Sequence, residues 1–283
     1  MFRWYGLLGA LMIAFAELNF ILKIEPFAHW YFPIVWFGYI LVIDSIVYKL
    51  RKHSLIHNKP KLFALLMLLS ASIWWLYEII NSALGNWNYQ LDGGMMVTTM
   101  LTPKVLIAGT ICFSTVLPAF FETYELFKSL NLFSHAHLRK KHKITKGFLF
   151  AMVGFGIFCL AASILASKVF YMLIWPAFFF ILDPINYLHK QPSIIGHLKD
   201  RKLQIPVTAM LTGLLLGFFW EFWNYWAAIK WTYHTPGFEF WKIFEMPALG
   251  YVFYLPFGLT LYSMYYFVRS LFYHKTHILA RNI

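Results

Sequence analysis

The sequence predicts an all-α membrane protein, a bundle of about eight transmembrane helices arranged as two parallel tandem repeats of four. Three observations predict this fold: the composition, the length of the apolar segments and an internal repeat. Hydrophobic residues make up 60% of the 283-residue chain, aromatic residues 21% and charged residues only 13%. This charged fraction is about half that of an ordinary soluble domain, so the composition indicates a membrane protein.

Apolar segments recur in blocks of roughly 20 residues, the length that an α-helix needs to cross a bilayer. Eight such segments are present, and each is predicted to be a membrane-spanning helix. They cover residues 4–22, 29–48, 62–83, 105–127, 147–166, 169–187, 205–227 and 247–270.

The basic residues divide unequally between the two sides that these eight spans define. Of the 24 lysines and arginines, 19 fall on one side, at Arg3, in 49–61, 128–146 and 190–202, and near the C-terminal end. Because lysine and arginine concentrate in cytoplasmic loops, we expect both termini to be cytoplasmic and the chain to lie in the cell membrane. The net charge of +12 is therefore a topology signal, and no nucleic-acid partner is expected.

An internal repeat relates two halves of the chain, residues 1–140 and 141–283. The matching residues of the first half are Trp36, Asp44, Ile46, Tyr48, Ser54, Ile56, Glu78, Asn81, Trp87 and Tyr89. They recur, in the same order, as Trp175, Asp183, Ile185, Tyr187, Ser193, Ile195, Glu221, Asn224, Trp231 and Tyr233. Four spans per half give both halves the same orientation, so we expect a pseudo-twofold axis along the membrane normal.

Acidic residues in and beside the predicted spans form two layers. The outer layer consists of Glu17, Glu78 and Glu221, with Glu245 at its edge. The cytoplasmic layer consists of Asp44, Asp183, Glu122 and Glu125. An ionised side chain at the bilayer centre costs about 2.5–3.5 kcal/mol on insertion scales, so these acids should face the bundle interior. Every lysine and arginine lies at or beyond a predicted helix end, so we expect the acids to lack basic partners.

Each outer glutamate of the repeat has an asparagine three residues later, Asn81 after Glu78 and Asn224 after Glu221. This spacing puts the two side chains on one helix face, where the amide can donate to the carboxylate. The acids could be neutral and hydrogen-bonded, could hold a cation, or could stabilise a cationic species. The candidate ligand-binding residues are these asparagines together with Trp75, Trp220, Trp223, Trp87, Trp231, Tyr233, Asp44 and Asp183.

Structural roles explain some of these residues equally well. Aromatic residues near the outer helix ends are expected to form an interfacial belt, and Asp44 and Asp183 could be interface anchors at the cytoplasmic end. The segment HSLIH at 53–57 has the spacing of two metal ligands on one helix face, yet loop histidines among lysines are usually solvated. The chain has no Gly-rich phosphate loop, no GxSxG and no HExxH motif, and neither a metal nor a cofactor is expected.

Two segments resemble a known family. NSALGNWNY at 81–89 and NYWAAIKWTY at 224–233 are similar to a segment of the membrane-embedded, flavin-independent lycopene cyclase domain proteins, which are also tandem duplications. In that family the next span opens with a proline followed by paired glutamates. The corresponding places read VLPAFFETYE at 116–125 and FEMPALGYVF at 244–253.

The resemblance implies a cofactor-independent, proton-initiated cyclisation of a long polyene in the membrane. Glu78 or Glu221 would be the acid, and Glu245 or Glu17 the base. Asn81, Asn224, Trp220 and Trp223 would position the acid and line the cavity. The partners would be membrane lipid and an apolar, isoprenoid-like small molecule.

Two other functional classes fit the same sequence. Parallel repeats with membrane acids also serve proton- or cation-coupled transporters, and a non-catalytic envelope protein needs neither substrate nor transported ion. For a transporter we expect helix breaks near the midplane, and Gly213, Gly217, Pro118 and Pro176 are the candidates.

Overall fold

The computed structural model describes residues 2–90, 96–97, 103–141, 143–235, 237 and 240–272. Most of these residues are helical. The helices are α1 Trp4–Leu22, α2 Tyr31–Arg51, α3 Leu55–Asn58, α4 Pro60–Leu84, α5 Pro103–Phe113, α6 Val116–Ser129, α7 Lys146–Leu165, α8 Ser167–Phe170, α9 Ile174–Leu188, α10 Ile194–Lys199, α11 Gln204–Trp226 and α12 Tyr254–Phe272. Two 3₁₀ turns, Tyr171–Leu173 and Ala248–Phe253, precede α9 and α12.

Seven segments of the described chain are long and apolar enough to cross a membrane, which confirms the prediction of a helical membrane protein. They match the first seven predicted spans, and α1 begins and ends where the hydropathy placed it. The predicted fourth span consists of α5 and α6, with Ser114 and Thr115 between them. The predicted eighth span, 247–270, contains α12, but this helix is not among the seven because its tyrosines, serines and Arg269 lower its hydropathy.

Several helices end where one residue adopts a left-handed backbone conformation. Lys23 after α1, Lys52 after α2 and Gly85 after α4 have positive φ angles, and their backbone N–H groups bond back to the last helical turn. This geometry satisfies carbonyl groups that the helix end would leave unbonded, and it redirects the chain. Gly85 thereby starts the turn that leads from α4 into the first strand.

Short strands follow α4 and α11, which the all-α prediction omitted. They are β1 Trp87–Gln90, β2 Met96–Val97, β3 Lys230–Tyr233, β4 Lys242–Ile243 and β5 Met246–Pro247. β1 lies between β2 and β3 in an antiparallel sheet, and β4 pairs with β5. The tripeptides WNY and WTY alternate large aromatic and polar residues, the two-residue period that suits a strand with two different faces.

The chain forms two compact units. One contains Met1–Ser129 and Leu216–Ala248, and the other contains Leu130–Leu215 and Leu249–Ile283. In the first unit α1 packs closely on α2 because Gly9 and Gly38 let the two backbones approach. In the second unit α9 packs on α7 and α12. This grouping describes packing, whereas the halves 1–140 and 141–283 describe a duplication of sequence, and that duplication stays a prediction.

Gly213, a candidate helix break, has a packing role in the second unit. It lies inside α11, where a Cβ atom would be 2.3 Å from the backbone oxygen of Tyr254 and 2.9 Å from the Cα of Gly258. The missing side chains of Gly213 and Gly258 therefore let α11 and α12 touch backbone to backbone.

Candidate functional site

The Glu78 carboxyl group, on α4, is held by three uncharged donors. Its Oε1 atom accepts hydrogen bonds from the Trp74 indole N–H over 3.0 Å, the Trp87 indole N–H over 3.2 Å and the Tyr89 hydroxyl over 2.6 Å. Trp74 comes from the same helix, and Trp87 and Tyr89 come from β1. Among the residues that the structure describes, no donor reaches Oε2. The aromatic donors therefore all bind one oxygen of this carboxyl group and leave the other without a bond to them.

Glu221, on α11, has a related environment. Its side chain is fully buried, and its Oε1 accepts a hydrogen bond from the Tyr233 hydroxyl over 2.7 Å. The same hydroxyl accepts a bond from the Trp231 indole N–H over 2.8 Å. Tyr233 and Trp231 lie on β3, the strand that follows α11. Each of the two glutamates thus receives an aromatic donor from the strand that follows its own helix.

The pairing of β1 with β3 brings these aromatic residues together. Trp87 pairs with Tyr233, and Tyr89 pairs with Trp231. Alternate residues of a strand point to the same face, and residues directly opposite each other share that face. All four aromatic side chains therefore lie on one face of the ladder, and both glutamates bond to that face. Trp87 and Tyr89 are buried, which is contrary to a purely interfacial belt.

The buried Tyr89 hydroxyl stays a donor at neutral pH. Burial, and then the neighbouring Glu78 carboxylate, raise the pKa of the Tyr89 phenol well above its ordinary value. A phenol that keeps its proton donates a hydrogen bond, and such a bond to an ionised carboxylate is among the stronger ones in proteins. Glu78 is therefore bound firmly without any basic residue.

Asn81 and Asn224 hold the turns between helix and strand. The Asn81 amide accepts a bond from the backbone N–H of Trp87 over 3.2 Å and donates to the Trp87 carbonyl over 2.8 Å. Asn224 makes the same two bonds with Trp231, both of 2.8 Å. Both amides thus bind backbone groups, and the expectation that they donate to the neighbouring carboxylates is wrong. The turn after α4 and the turn after α11 are thus held by the same two hydrogen bonds.

Glu17, on α1, is a third acid with aromatic donors. Its Oε1 accepts hydrogen bonds from the Tyr31 hydroxyl over 3.3 Å and from the Trp223 indole N–H over 3.1 Å. Trp223 lies two residues after Glu221, so the two glutamates approach the same stretch of α11. The side chain of Glu17 is half-buried.

An aromatic cluster surrounds Trp223, and it consists of Trp36, Tyr39, Phe219, Trp220 and Trp223. The Trp36 ring centroid lies 4.8 Å from that of Trp223 and 5.7 Å from that of Trp220, and Phe219 stacks on Trp223 at 5.1 Å. The sequence suggested that the acids could stabilise a cationic species and that the neighbouring tryptophans bind the ligand. In the cluster the rings pack against other rings, and the indole N–H of Trp223 donates to Glu17.

Trp75, a predicted ligand-binding residue, contacts other side chains. Its indole N–H donates to the Thr110 hydroxyl over 3.0 Å, and its ring packs against Phe113. The neighbouring Trp74 is the one that bonds to Glu78. The spacing of four residues between Trp74 and Glu78 identifies this pair, because residues four apart share a helix face.

Two of the acids have basic partners, so the expectation that all of them lack such partners is wrong. Glu245 accepts a bond from Lys230 over 2.6 Å. Glu125 pairs with Lys128 over 2.8 Å and with Arg51 over 3.3 Å. The ion pair of Glu245 distinguishes it from Glu17, Glu78 and Glu221, each of which accepts a hydrogen bond from an aromatic donor.

Asp44 and Asp183 anchor the short helices α3 and α10. The carboxylate of Asp44 accepts bonds from the Ser54 hydroxyl over 2.9 Å and the Ile56 backbone N–H over 2.8 Å, at the start of α3. Asp183 accepts bonds from two backbone N–H groups, both over 2.8 Å, at the start of α10. An acid at a helix N-terminus satisfies its free N–H groups, so these residues have a structural role.

His57, the second histidine of HSLIH, bonds to another side chain. Its Nδ1 lies 2.8 Å from Nη2 of Arg3, and its ring packs edge-on against Tyr48. A cationic guanidinium at this nitrogen disfavours a metal ion there. Within the described part of the chain, no group of three or more histidine, cysteine or acidic residues is arranged to hold a metal.

Comparisons with protein-family models, with characterised proteins and with solved structures find no match for this chain. The resemblance to lycopene cyclase domains consequently stays a prediction. The functional assignment depends on the geometry of the glutamates and their aromatic donors.

Proposed function

We propose that the chain is a membrane protein that binds an apolar, isoprenoid-like lipid and acts on it by acid–base chemistry at Glu78 and Glu221. One observation carries this proposal: both carboxyl groups bond to aromatic N–H and O–H donors on the same face of the β1–β3 ladder. Neutral donors hold a carboxyl group in position without fixing it in an ion pair, so it can give and take a proton.

The apolar setting supports a lipid as the ligand. The glutamates belong to α4 and α11, two helices long and apolar enough to cross a membrane. Around them lie aromatic side chains, which suit a hydrocarbon better than a charged solute. Trp220 and Trp223 of the aromatic cluster are buried, and Trp231 and Tyr233 are partly exposed beside them.

The proposed chemistry is an isomerisation, so it needs no oxidant, reductant or cofactor. One glutamic acid transfers its proton to a carbon–carbon double bond, which leaves a carbocation on the neighbouring carbon. A second double bond attacks this cation to close a ring, and a carboxylate then removes a proton from the adjacent carbon. Glu78 and Glu221 are the acid and base of this cycle, and Glu17 is an alternative base on the same side.

We also propose the finer architecture, eight spans in two parallel repeats, with α12 as the eighth span and both termini in the cytoplasm. The register of β1 with β3 supports it. In the predicted repeat, Trp87 corresponds to Trp231 and Tyr89 to Tyr233. The ladder pairs Trp87 with Tyr233 and Tyr89 with Trp231, so the pairing is symmetric about its centre. A twofold axis through the central pair, Asn88 with Thr232, exchanges the two strands. An axis along the membrane normal has this effect.

The test is the identity of the lipid that the protein carries. The protein is expressed in cells that make isoprenoids and purified in detergent, and bound lipids are identified by mass spectrometry. We expect an isoprenoid enriched over bulk phospholipid, and its product to be absent from cells that make the Glu78→Gln or Glu221→Gln variant. Glu25→Gln, at an exposed acid that pairs with His29, is the matched control.

The proposal is contradicted if only bulk phospholipid is recovered and both variants leave the cellular lipid and pigment profiles unchanged. A second candidate, a proton-coupled transporter, is favoured by the second acidic layer, where Glu122 is fully buried. Substrate uptake into proteoliposomes under an imposed pH gradient would decide for the transporter.

A further inference from the structure

Glu122, on α6, is an acid that the proposed lipid chemistry does not use. Its side chain is fully buried. Among the residues that the structure describes, no N–H or O–H group donates a hydrogen bond to either of its carboxyl oxygens. Burying an ionised carboxylate without donors is strongly unfavourable, so the Glu122 carboxyl group must be stabilised in another way.

The Asp44 carboxyl group lies within hydrogen-bonding reach of Glu122. Asp44 is on α2, which packs along α6, and the Tyr39 hydroxyl bonds to the Thr123 hydroxyl over 2.8 Å at the same contact. Asp44 is itself fully buried. Two carboxyl groups that touch in this way repel each other when both are ionised, but they form a strong hydrogen bond when one of them carries a proton.

Asp44 does not need a second acid in order to anchor the short helix α3. Asp183 makes the same kind of anchor in the other half, and there the additional contact comes from the Ser263 hydroxyl over 3.0 Å. A neutral hydroxyl is therefore sufficient to complete the carboxylate of such an anchor. Glu122 adds a buried carboxyl group where the fold works with a serine, which points to a role beyond structure.

We propose that Asp44 and Glu122 form a proton-binding site in which one proton is shared, with the Glu122 O–H donating to the Asp44 carboxylate. The proton gives the Glu122 carboxyl group a partner and removes one of the two negative charges. The site binds a proton whether or not the lipid chemistry at Glu78 and Glu221 holds.

The groups around the pair support a single shared negative charge. On the Asp44 side, the Tyr5 hydroxyl of α1 donates over 2.5 Å and the Ser54 hydroxyl over 2.9 Å, and both are neutral. The next acid along α6, Glu125, is neutralised by its own two basic partners. No cation among the described residues forms an ion pair with Asp44 or Glu122, so a proton is the available neutralising charge.

Infrared spectroscopy of the purified protein in lipid nanodiscs tests the site. A protonated carboxyl group has a C=O stretching band that an ionised one lacks, and the band shifts in D₂O. At neutral pH we expect the spectrum of the wild type minus that of Glu122→Gln to contain this band. The Glu125→Gln variant, which alters an ion-paired acid one turn along the same helix, is expected to retain it.

Asp44→Asn gives a second reading. It keeps the size of the side chain but changes the acceptor, so the band should shift in frequency or disappear. The proposal is overturned if the spectrum of Glu122→Gln has the same C=O band as the wild type. It is also overturned if sodium removes this band from the wild-type spectrum, because the site would then bind sodium.

Discussion

Tyr89 and Trp231 lie directly opposite each other in an antiparallel ladder, although they come from strands that follow different membrane helices. Tyr89 donates to Glu78, and Trp231 donates to the tyrosine that holds Glu221. The two glutamates are thus connected to one small sheet by the same kinds of donor. A function that needs both acids should depend on both tyrosine hydroxyls.

Replacing the tyrosine hydroxyls tests this dependence. Tyr89→Phe and Tyr233→Phe each remove one donor to a glutamate and keep the ring. Loss of a hydrogen bond to a charged group costs about 1.5–3 kcal/mol, so we expect a drop of roughly 10-fold or more in product formed by each variant. Product is quantified by mass spectrometry of membrane extracts. Unchanged product in both variants would remove the tyrosines from the site.

The asparagine clamps are expected to affect stability rather than chemistry. Asn81→Ala and Asn224→Ala each remove two hydrogen bonds to the backbone, of buried Trp87 and half-buried Trp231 respectively, which costs about 1–3 kcal/mol in each variant. Thermal unfolding in detergent should show lower midpoints for both. Asn88→Ala, on the opposite face of β1, is the control and should unfold near the wild-type temperature. Equal midpoints in all three variants would argue against the clamp.

Close packing at Gly213 predicts a steric effect. Gly213→Ala places a methyl group 2.3 Å from the backbone oxygen of Tyr254, so α11 and α12 must move apart. We expect a loss of about 1–3 kcal/mol in the free energy of unfolding, typical of overpacking. Gly154→Ala, where no atom beyond the adjoining backbone of its own helix lies within 4 Å of the new methyl group, should be neutral or slightly stabilising. The same tolerance at both glycines would contradict this packing.

The membrane spans were predictable because a helix that crosses the bilayer needs about 20 consecutive apolar residues, which hydropathy detects. The range predicted for the first helix, 4–22, is the range observed, and most other ends agree within a few residues. The strands were missed because β1 and β3 have only four residues each, which is too short for a clear alternating pattern. Their aromatic residues were instead interpreted as an interfacial belt at the helix ends. Their pairing joins distant parts of the sequence, which local patterns do not encode.

The candidate site was predictable in part. Carboxyl groups stand out in apolar spans, so Glu17, Glu78 and Glu221 could be identified from composition alone. Their partners depend on tertiary contacts: the Tyr31 hydroxyl reaches Glu17 from another helix, and Glu122 meets Asp44 across two helices. The recurring asparagines and aspartates were visible in the repeat, but their backbone contacts were not.

Solvent deuterium tests the central claim, that Glu78 and Glu221 perform acid–base chemistry on an apolar lipid. Purified protein in nanodiscs is incubated in D₂O with the isoprenoid lipid extract of cells that lack the protein, and the products are analysed by mass spectrometry. We expect a product that carries one deuterium from solvent with the wild type and none with Glu78→Gln or Glu221→Gln. Lipids recovered without deuterium, or labelled equally by both variants, would contradict it.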